Sequence, residues 1–404
     1  SNTTDVCSYG VRQPSCLCRV ERVHEALRWG NLRGEGAPGS VGVEMNRASA
    51  QTGARVRVMV LFGTRPEAIK MAPVVAAAQK HPGIDAHVCV TGQHRQMLDE
   101  TMKVFGLSAD SDLNIMKTNQ TLTDITVGSL LGLQETLARW KPDWLLVQGD
   151  TTSAFAAALG AFYGRVKVGH VEAGLRTGNK TQPWPEEANR RLVSVVADRH
   201  YAPTEQARQN LLREGIPESD VSVTGNTVID ALLSISARLD QEPALRAELD
   251  SRFGWMRDDR KLVLVTGHRR ESFGQGFHNI CEALKQLAQR PDVQIVYPVH
   301  LNPNVRGPVF ELLSGLDNVR LIEPVDYVSL VYLLKRCRFA LTDSGGIQEE
   351  APSLAKPVLV MRETSERMEA VDAGVAKLVG TDPARIVKEA SRLLDDAKAY
   401  AAMS

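Results

Sequence analysis

Arg57-Val-Met-Val-Leu-Phe-Gly-Thr-Arg-Pro-Glu-Ala68 opens as a β-rich run, breaks at Gly63-Thr64, and continues into Ile69, Met71, Val74 and Val75 at helical spacing. This is a strand, a turn and a helix. The same unit repeats: Ala86–Thr91, Trp144–Val147, Val166–Val171, His200–Pro203 and Val221–Thr224 read as strands with helix-like segments between them. Such alternation predicts a parallel sheet with helices on both faces. A polar, helix-like region from Asp230 to Arg260 intervenes, and Leu262–Thr266, Val293–Pro298, Val319–Ile322, Phe339–Leu341 and Val358–Val360 form a second series. The chain therefore reads as α/β, with two doubly wound domains at 55–225 and 226–404 behind a flexible, Gly-, Ser- and Arg-rich extension at 1–54. Ligands are expected in the cleft between the domains, where strand carboxyl ends face it.

Composition narrows the function. The 404 residues are 43% hydrophobic, enough for two ordinary domains. Lys+Arg and Asp+Glu are both 48, so no global field attracts nucleic acid or an anionic membrane. No apolar run approaches a membrane span and the N-terminus lacks a signal-peptide core, which predicts a soluble, cytoplasmic protein. Cys89, Cys281 and Cys337 lie in apolar contexts and are expected as reduced thiols. Cys16-Leu-Cys18 has no second ligand pair at finger spacing, and no HExxH-like pattern occurs, so no metal is expected. Gly34-Glu-Gly-Ala-Pro-Gly39 matches a dinucleotide fingerprint formally, but no strand precedes it and Pro38 interrupts any helix.

Carboxylates appear where a fold does not ask for them. Glu172 falls at the carboxyl end of the run Val166–Val171, and Asp150 follows the buried run Trp144–Val147. Glu186 and Glu187 follow Pro185 at a helix start, where a carboxylate also suits the helix dipole. Asp150, Glu172 and Glu186 are expected at one sheet edge, where crowded carboxylates separate one another's pKa values and serve as acid and base. In the second half, Thr342-Asp-Ser-Gly-Gly-Ile-Gln-Glu-Glu350 turns a strand into a helix. Ser344, Gly345 and Gly346 expose backbone N–H groups to a phosphate, and Glu349 or Glu350 is placed for ribose hydroxyls. Arg65, Lys70, Arg269, Arg270 and Arg367 are candidates for the diphosphate charge. His268 lies just past a strand beside two arginines and is a further site candidate.

Together, Phe62-Gly-Thr-Arg-Pro-Glu-Ala-Ile-Lys-Met-Ala-Pro73, Gln148-Gly-Asp-Thr-Thr152, Gly169-His-Val-Glu-Ala-Gly-Leu-Arg176, Pro183-Trp-Pro-Glu-Glu-Ala-Asn-Arg190, Thr224-Gly-Asn-Thr227, Gly267-His-Arg-Arg-Glu271, Tyr297-Pro-Val-His-Leu-Asn-Pro303 and Thr342-Asp-Ser-Gly-Gly-Ile-Gln-Glu-Glu-Ala-Pro352 closely resemble the bacterial non-hydrolysing UDP-N-acetylglucosamine 2-epimerases. The resemblance runs from Val56 to the C-terminus in the family's order. It implies a glycosyltransferase-B-like pair of Rossmann domains, a homodimer, and interconversion of UDP-GlcNAc and UDP-ManNAc for cell-envelope polysaccharides. With no nicotinamide site, it implies elimination of UDP to a 2-acetamidoglucal and re-addition, without cofactor or metal.

Carried over residue by residue, Asp150, Glu172, Glu186 and His268 are the catalytic set. Asp150 and Glu186 are expected to transfer protons, Glu172 to position or share that role, and His268 to meet the leaving diphosphate. Arg65, Lys70, Ser344, Gly345, Gly346, Glu350 and Arg367 match UDP-binding positions. Gln93, Gln96, Glu186, Arg269 and His300 match an activating second-substrate site.

The chain departs from the family pattern at Leu330, where many members place a Phe near the uracil, and at Asn119, which falls where the family has an arginine. It also ends at Ser404, where members continue into a last helix. A hydrolysing epimerase, a glycosyltransferase of the same architecture and a non-catalytic nucleotide-sugar sensor are the rival readings.

Overall fold

In a computed structural model of the chain, the structure describes residues 55–92, 95–117, 120–365 and 367–404. The extension at 1–54, with its cysteine pair and glycine run, lies outside the described residues. These residues form two compact units, one ending at Ala231 and one beginning at Leu232.

The first unit is built on β1 (Val56–Phe62), β2 (Ile84–Val90), β3 (Ser111–Asp112), β4 (Trp144–Gln148), β5 (Lys167–Val171), β6 (Arg199–Ala202) and β7 (Val221–Val223). They form an all-parallel sheet in the order β3-β2-β1-β4-β5-β6-β7. The second unit is built on β8 (Lys261–Thr266), β9 (Val293–Pro298), β10 (Val319–Ile322), β11 (Phe339–Thr342), β12 (Val358–Val360) and β13 (Ala376–Leu378). Its order is β10-β9-β8-β11-β12-β13, again all parallel. Each sheet reverses its winding at one place, between β1 and β4 and between β8 and β11. This is the Rossmann pattern, and it opens a crevice at the carboxyl ends of those strands.

Helices on both faces explain why the central strands are apolar over most of their length. Every residue of β4 is buried, as are Leu262–Val265 of β8. Burying each such Val or Leu contributes roughly 1.5–3 kcal/mol. The cysteines at 89, 281 and 337 are free thiols within these cores, and burial pushes each up to about 12, which leaves them unreactive.

Two strands escaped the sequence reading, β3 and β13. Both are outermost and only two or three residues long, too short to show alternation. Among the described residues, no helix is long and apolar enough to cross a membrane.

Candidate active site

In the first unit, the turns after β1 and β4 carry Gly63–Arg65 and Gly149–Thr151. The buried carboxylate of Glu67 ties them together. Its Oε2 accepts the N–H groups of Gly63 (2.9 Å) and Thr64 (2.7 Å), and its Oε1 accepts the Thr151 hydroxyl (2.5 Å). Burial pushes the Glu67 carboxyl above its ordinary range, against the pull of Thr151, Gly63 and Thr64. The turn needs a glycine: a Cβ on Gly63 would run into Thr91 Oγ1. Arg65 opens the helix Arg65–Lys80, which also carries Lys70.

Gly149 adopts φ 68°, a conformation open to glycine. His170 stands behind it on β5, with Nε2 2.8 Å from the Gly149 carbonyl. That oxygen only accepts, so the ring carries its proton on Nε2. Burial, helped by nearby His200, pushes His170 down to about 3, and burial pushes His200 to about 4. Both are neutral structural imidazoles near pH 7.

Asp150 comes next, with its side chain 26% exposed, and pairs with Arg190 of the helix Glu186–Val196. Asn189 of that helix donates to the Asp150 carbonyl at 3.0 Å. Arg190 also lies 3.4 Å from the fully buried Glu187, whose oxygens accept the N–H groups of Thr177 (3.1 Å) and Gly178 (3.2 Å). One network thus moors the helix to the β4 turn and fixes the preceding loop. Glu186 sits one turn before Arg190, on the same face of the helix. Its Oε2 is buried without a hydrogen-bond partner among the described residues. A buried acceptor that no protein group satisfies is costly to a fold and suits a ligand.

Glu172 follows β5 at φ 62°, an uncommon conformation for a non-glycine residue. Its carboxylate faces Lys70 Nζ at 2.5 Å, the Gln148 amide, and the Asn226 amide at 3.0 Å. Lys70, read from sequence as a diphosphate ligand, is therefore ion-paired with a site carboxylate. Asp150 and Glu172 end adjacent strands, and Arg190 and Asn189 bring the Glu186 helix to Asp150.

The second unit places its turns after β8 and β11. Asp343, wholly buried, accepts the N–H groups of His268 and Arg269 on Oδ2, each at 2.8 Å, and its Oδ1 lies 3.2 Å from His268 Nδ1. Burial alone would raise its carboxyl; the His268 side chain and these N–H groups outweigh it and hold it below the ordinary range. His300 stacks on His268 with ring centroids 5.8 Å apart.

Thr342 Oγ1 accepts the Ser344 N–H at 2.9 Å, shaping entry into the helix Gly345–Ser353. Gly345 and Gly346 form its first turn, and a Cβ on Gly346 would stand 3.5 Å from Glu350 Oε2. Buried Glu350 accepts the Tyr327 hydroxyl at 2.7 Å on its other oxygen. Glu349 pairs with Arg367 at 2.6 Å. Buried Gln348 accepts the Ser365 hydroxyl at 2.6 Å, and Ser365 Oγ accepts the Arg367 N–H at 3.0 Å. Arg367 is thereby tied to the helix that carries the glycines.

Arg269 follows His268 within the same turn. Gln93, Asn119 and the side chain of Gln96 lie outside the described residues. Sequence reasoning assigned no role to Glu67, His170, Glu187, Arg190, Tyr327 or Asp343. Only Glu67 left a local signal, the Thr-x-x-Glu spacing of a capping box.

Fold and site define an α/β protein of the glycosyltransferase-B-like class, with a carboxylate cluster on one Rossmann unit and a glycine-led helix start on the other. A family model for UDP-N-acetylglucosamine 2-epimerase matches residues 76–404. The UDP-N-acetylglucosamine 2-epimerase of Escherichia coli (strain K12) is 57% identical over 350 residues, covering 86% of this chain and 93% of the relative. That of Campylobacter jejuni is 51% identical over 352 residues, covering 86% and 92%. The crystal structure of UDP-GlcNAc 2-epimerase from Neisseria meningitidis bound to UDP-GlcNAc matches with a TM-score of 0.82 at 51% identity, covering 86% of this chain and 94% of that one. The Methanocaldococcus jannaschii enzyme in complex with UDP-GlcNAc and UDP matches at 0.74 and 32% identity, covering 86% and 98%. This chain belongs to the UDP-N-acetylglucosamine 2-epimerase family.

Proposed function

We propose that the protein interconverts UDP-GlcNAc and UDP-ManNAc in the cytoplasm by anti elimination and re-addition of UDP, supplying cell-envelope polysaccharide synthesis. A base takes the C2 proton, the C2–H pair becomes the C1=C2 double bond, and the C1–O pair leaves with UDP. The acetamidoglucal then receives a proton at C2 on the opposite face while UDP re-forms its bond to C1. Asp150 and Glu186 exchange the protons, Glu172 and Lys70 act as a fixed ion pair beside them, and His268 meets the diphosphate. Arg65, Lys70, Arg367 and the N–H groups from Ser344 to Gly346 hold the diphosphate, and Glu350 the ribose. A second UDP-GlcNAc, bound through Gln93, Gln96, Glu186, Arg269 and His300, activates the enzyme.

The observation that carries this reading is a partly exposed Asp150 together with a Glu186, on the helix moored to it by Arg190, whose Oε2 is buried without a hydrogen-bond partner among the described residues. Incubation with UDP-GlcNAc in D₂O, followed by NMR, tests it. Deuterium is expected at C2 of both sugars without added cofactor or metal. A product that retains C2 protium excludes elimination, and release of free N-acetylmannosamine favours the hydrolysing reading.

The proposed homodimer draws support from an apolar face. Val127 and Leu131 on the helix Leu122–Trp140, Phe162 and Tyr163 on the neighbouring helix Thr152–Tyr163, and Leu192 and Val195 on the helix Glu186–Val196 are all exposed. Light scattering is expected to give twice the chain mass, and Leu131→Glu with Val195→Glu to return it to the monomer value. A wild-type monomer would refute the assignment.

A further inference from the structure

We propose that Asp343 is the positioning residue of His268, fixing its tautomer and turning its Nε2 edge outward. The inference rests on the epimerase reading only for what Nε2 then meets, the departing diphosphate.

The geometry is specific. Asp343 follows β11 and His268 follows β8, neighbouring strands at the sheet's reversal, so residues 75 positions apart meet. One oxygen of Asp343 is committed to the two N–H groups that set the path of residues 268 and 269. The other lies 3.2 Å from His268 Nδ1 and has no other hydrogen-bond partner among the described residues. An ionised carboxylate accepts and cannot donate, so the neutral ring must carry its proton on Nδ1. Nε2 lies on the far edge of a side chain that is 40% exposed while Asp343 is sealed. His300 stacks on the ring and limits its rotation.

The same carboxylate opposes the positive charge the ring gains when Nε2 is protonated, and the imidazolium then donates from Nε2 to a diphosphate oxygen. With the other tautomer, neutral His268 would present a protonated Nε2 already, and Nδ1 would face the carboxylate lone pair to lone pair. Asp343 thus acts on the reaction only through His268.

The test is ¹⁵N NMR of histidine-labelled, ligand-free protein. In wild type, neutral His268 is expected as the Nδ1–H tautomer. Asp343→Asn keeps an oxygen for the two backbone donors and turns its NH₂ toward Nδ1, so the resonances should switch to the Nε2–H tautomer. Under the epimerase reading, kcat of Asp343→Asn should fall roughly 10–100-fold with KM little changed. Adding Asp343→Asn to His268→Ala should cost almost nothing further.

A wild-type Nε2–H tautomer, or an equal loss from Asp343→Asn with and without His268, overturns the proposal. The wild-type spectrum decides the point even where the variant does not fold. If the tautomer is as expected but no epimerisation occurs, the functional reading fails and the positioning role stands.

Discussion

Asp150→Asn is expected to lower turnover of UDP-GlcNAc by roughly 10²–10⁴-fold while leaving the fold intact. The carboxylate follows a fully buried strand yet is itself 26% exposed, so the core holds its backbone and not its charge. Its carbonyl is fixed independently by Asn189 at 3.0 Å, and the turn by the Thr151–Glu67 bond at 2.5 Å. Arg190 loses one partner but keeps Glu187 at 3.4 Å, so no guanidinium is left buried without a counter-charge. What the substitution removes is a proton acceptor. Steady-state rates with UDP-GlcNAc, a UDP-binding isotherm and a thermal melt separate the outcomes. Near-normal turnover sinks the assignment of Asp150. A large fall in melting temperature together with lost UDP binding would make the residue structural.

How much of this was legible in the sequence follows from the range of each interaction. The central strands announced themselves through β-branched, fully apolar runs, because helices on both faces leave no solvent side to encode. Asp150 and Glu172 stood out since carboxylates do not belong at the end of such runs without a use. The glycines at 345 and 346 were legible for the same reason, as a helix start stripped of side chains.

Partners were a different matter. Arg190 meets Asp150 across 40 residues, and Asp343 meets His268 across 75. Local pattern carries no record of such a pair until the strand order is known. Lys70 is an example: its charge marks it as a candidate phosphate ligand, and only the sheet's winding reveals that Glu172 also lies beside it. His170 carries no local sign of its role, since the Gly149 carbonyl it serves lies in the turn after the adjoining strand.

His170 and His200 also make the first unit acid-labile between pH 6.5 and 5. They sit side by side on β5 and β6, in register, and both are buried. In the unfolded chain each imidazole protonates near pH 6.5, whereas burial holds the folded values at about 3 and about 4. The sign follows from proton counting. Below pH 6.5 the unfolded chain binds two protons that the folded chain refuses, so stability is complete above that value and falls with pH beneath it.

At pH 5 the loss is about 2 kcal/mol for each histidine, about 4 kcal/mol for the pair. His87 of the same unit, also held low by burial, acts in the same direction, and the Glu67 carboxyl, raised by burial, offsets part of the loss. Carboxylates held below their ordinary range, Asp343 and Asp292 among them, withdraw stability only below about pH 4, outside this interval. Urea midpoints of the first unit are therefore expected to drop steeply between pH 6.5 and 5. His200→Gln, which cannot titrate, should remove about 2 kcal/mol of that drop whatever it does to stability at pH 7.5. A pH dependence over this interval unchanged by the substitution would show that the buried pair does not govern acid unfolding.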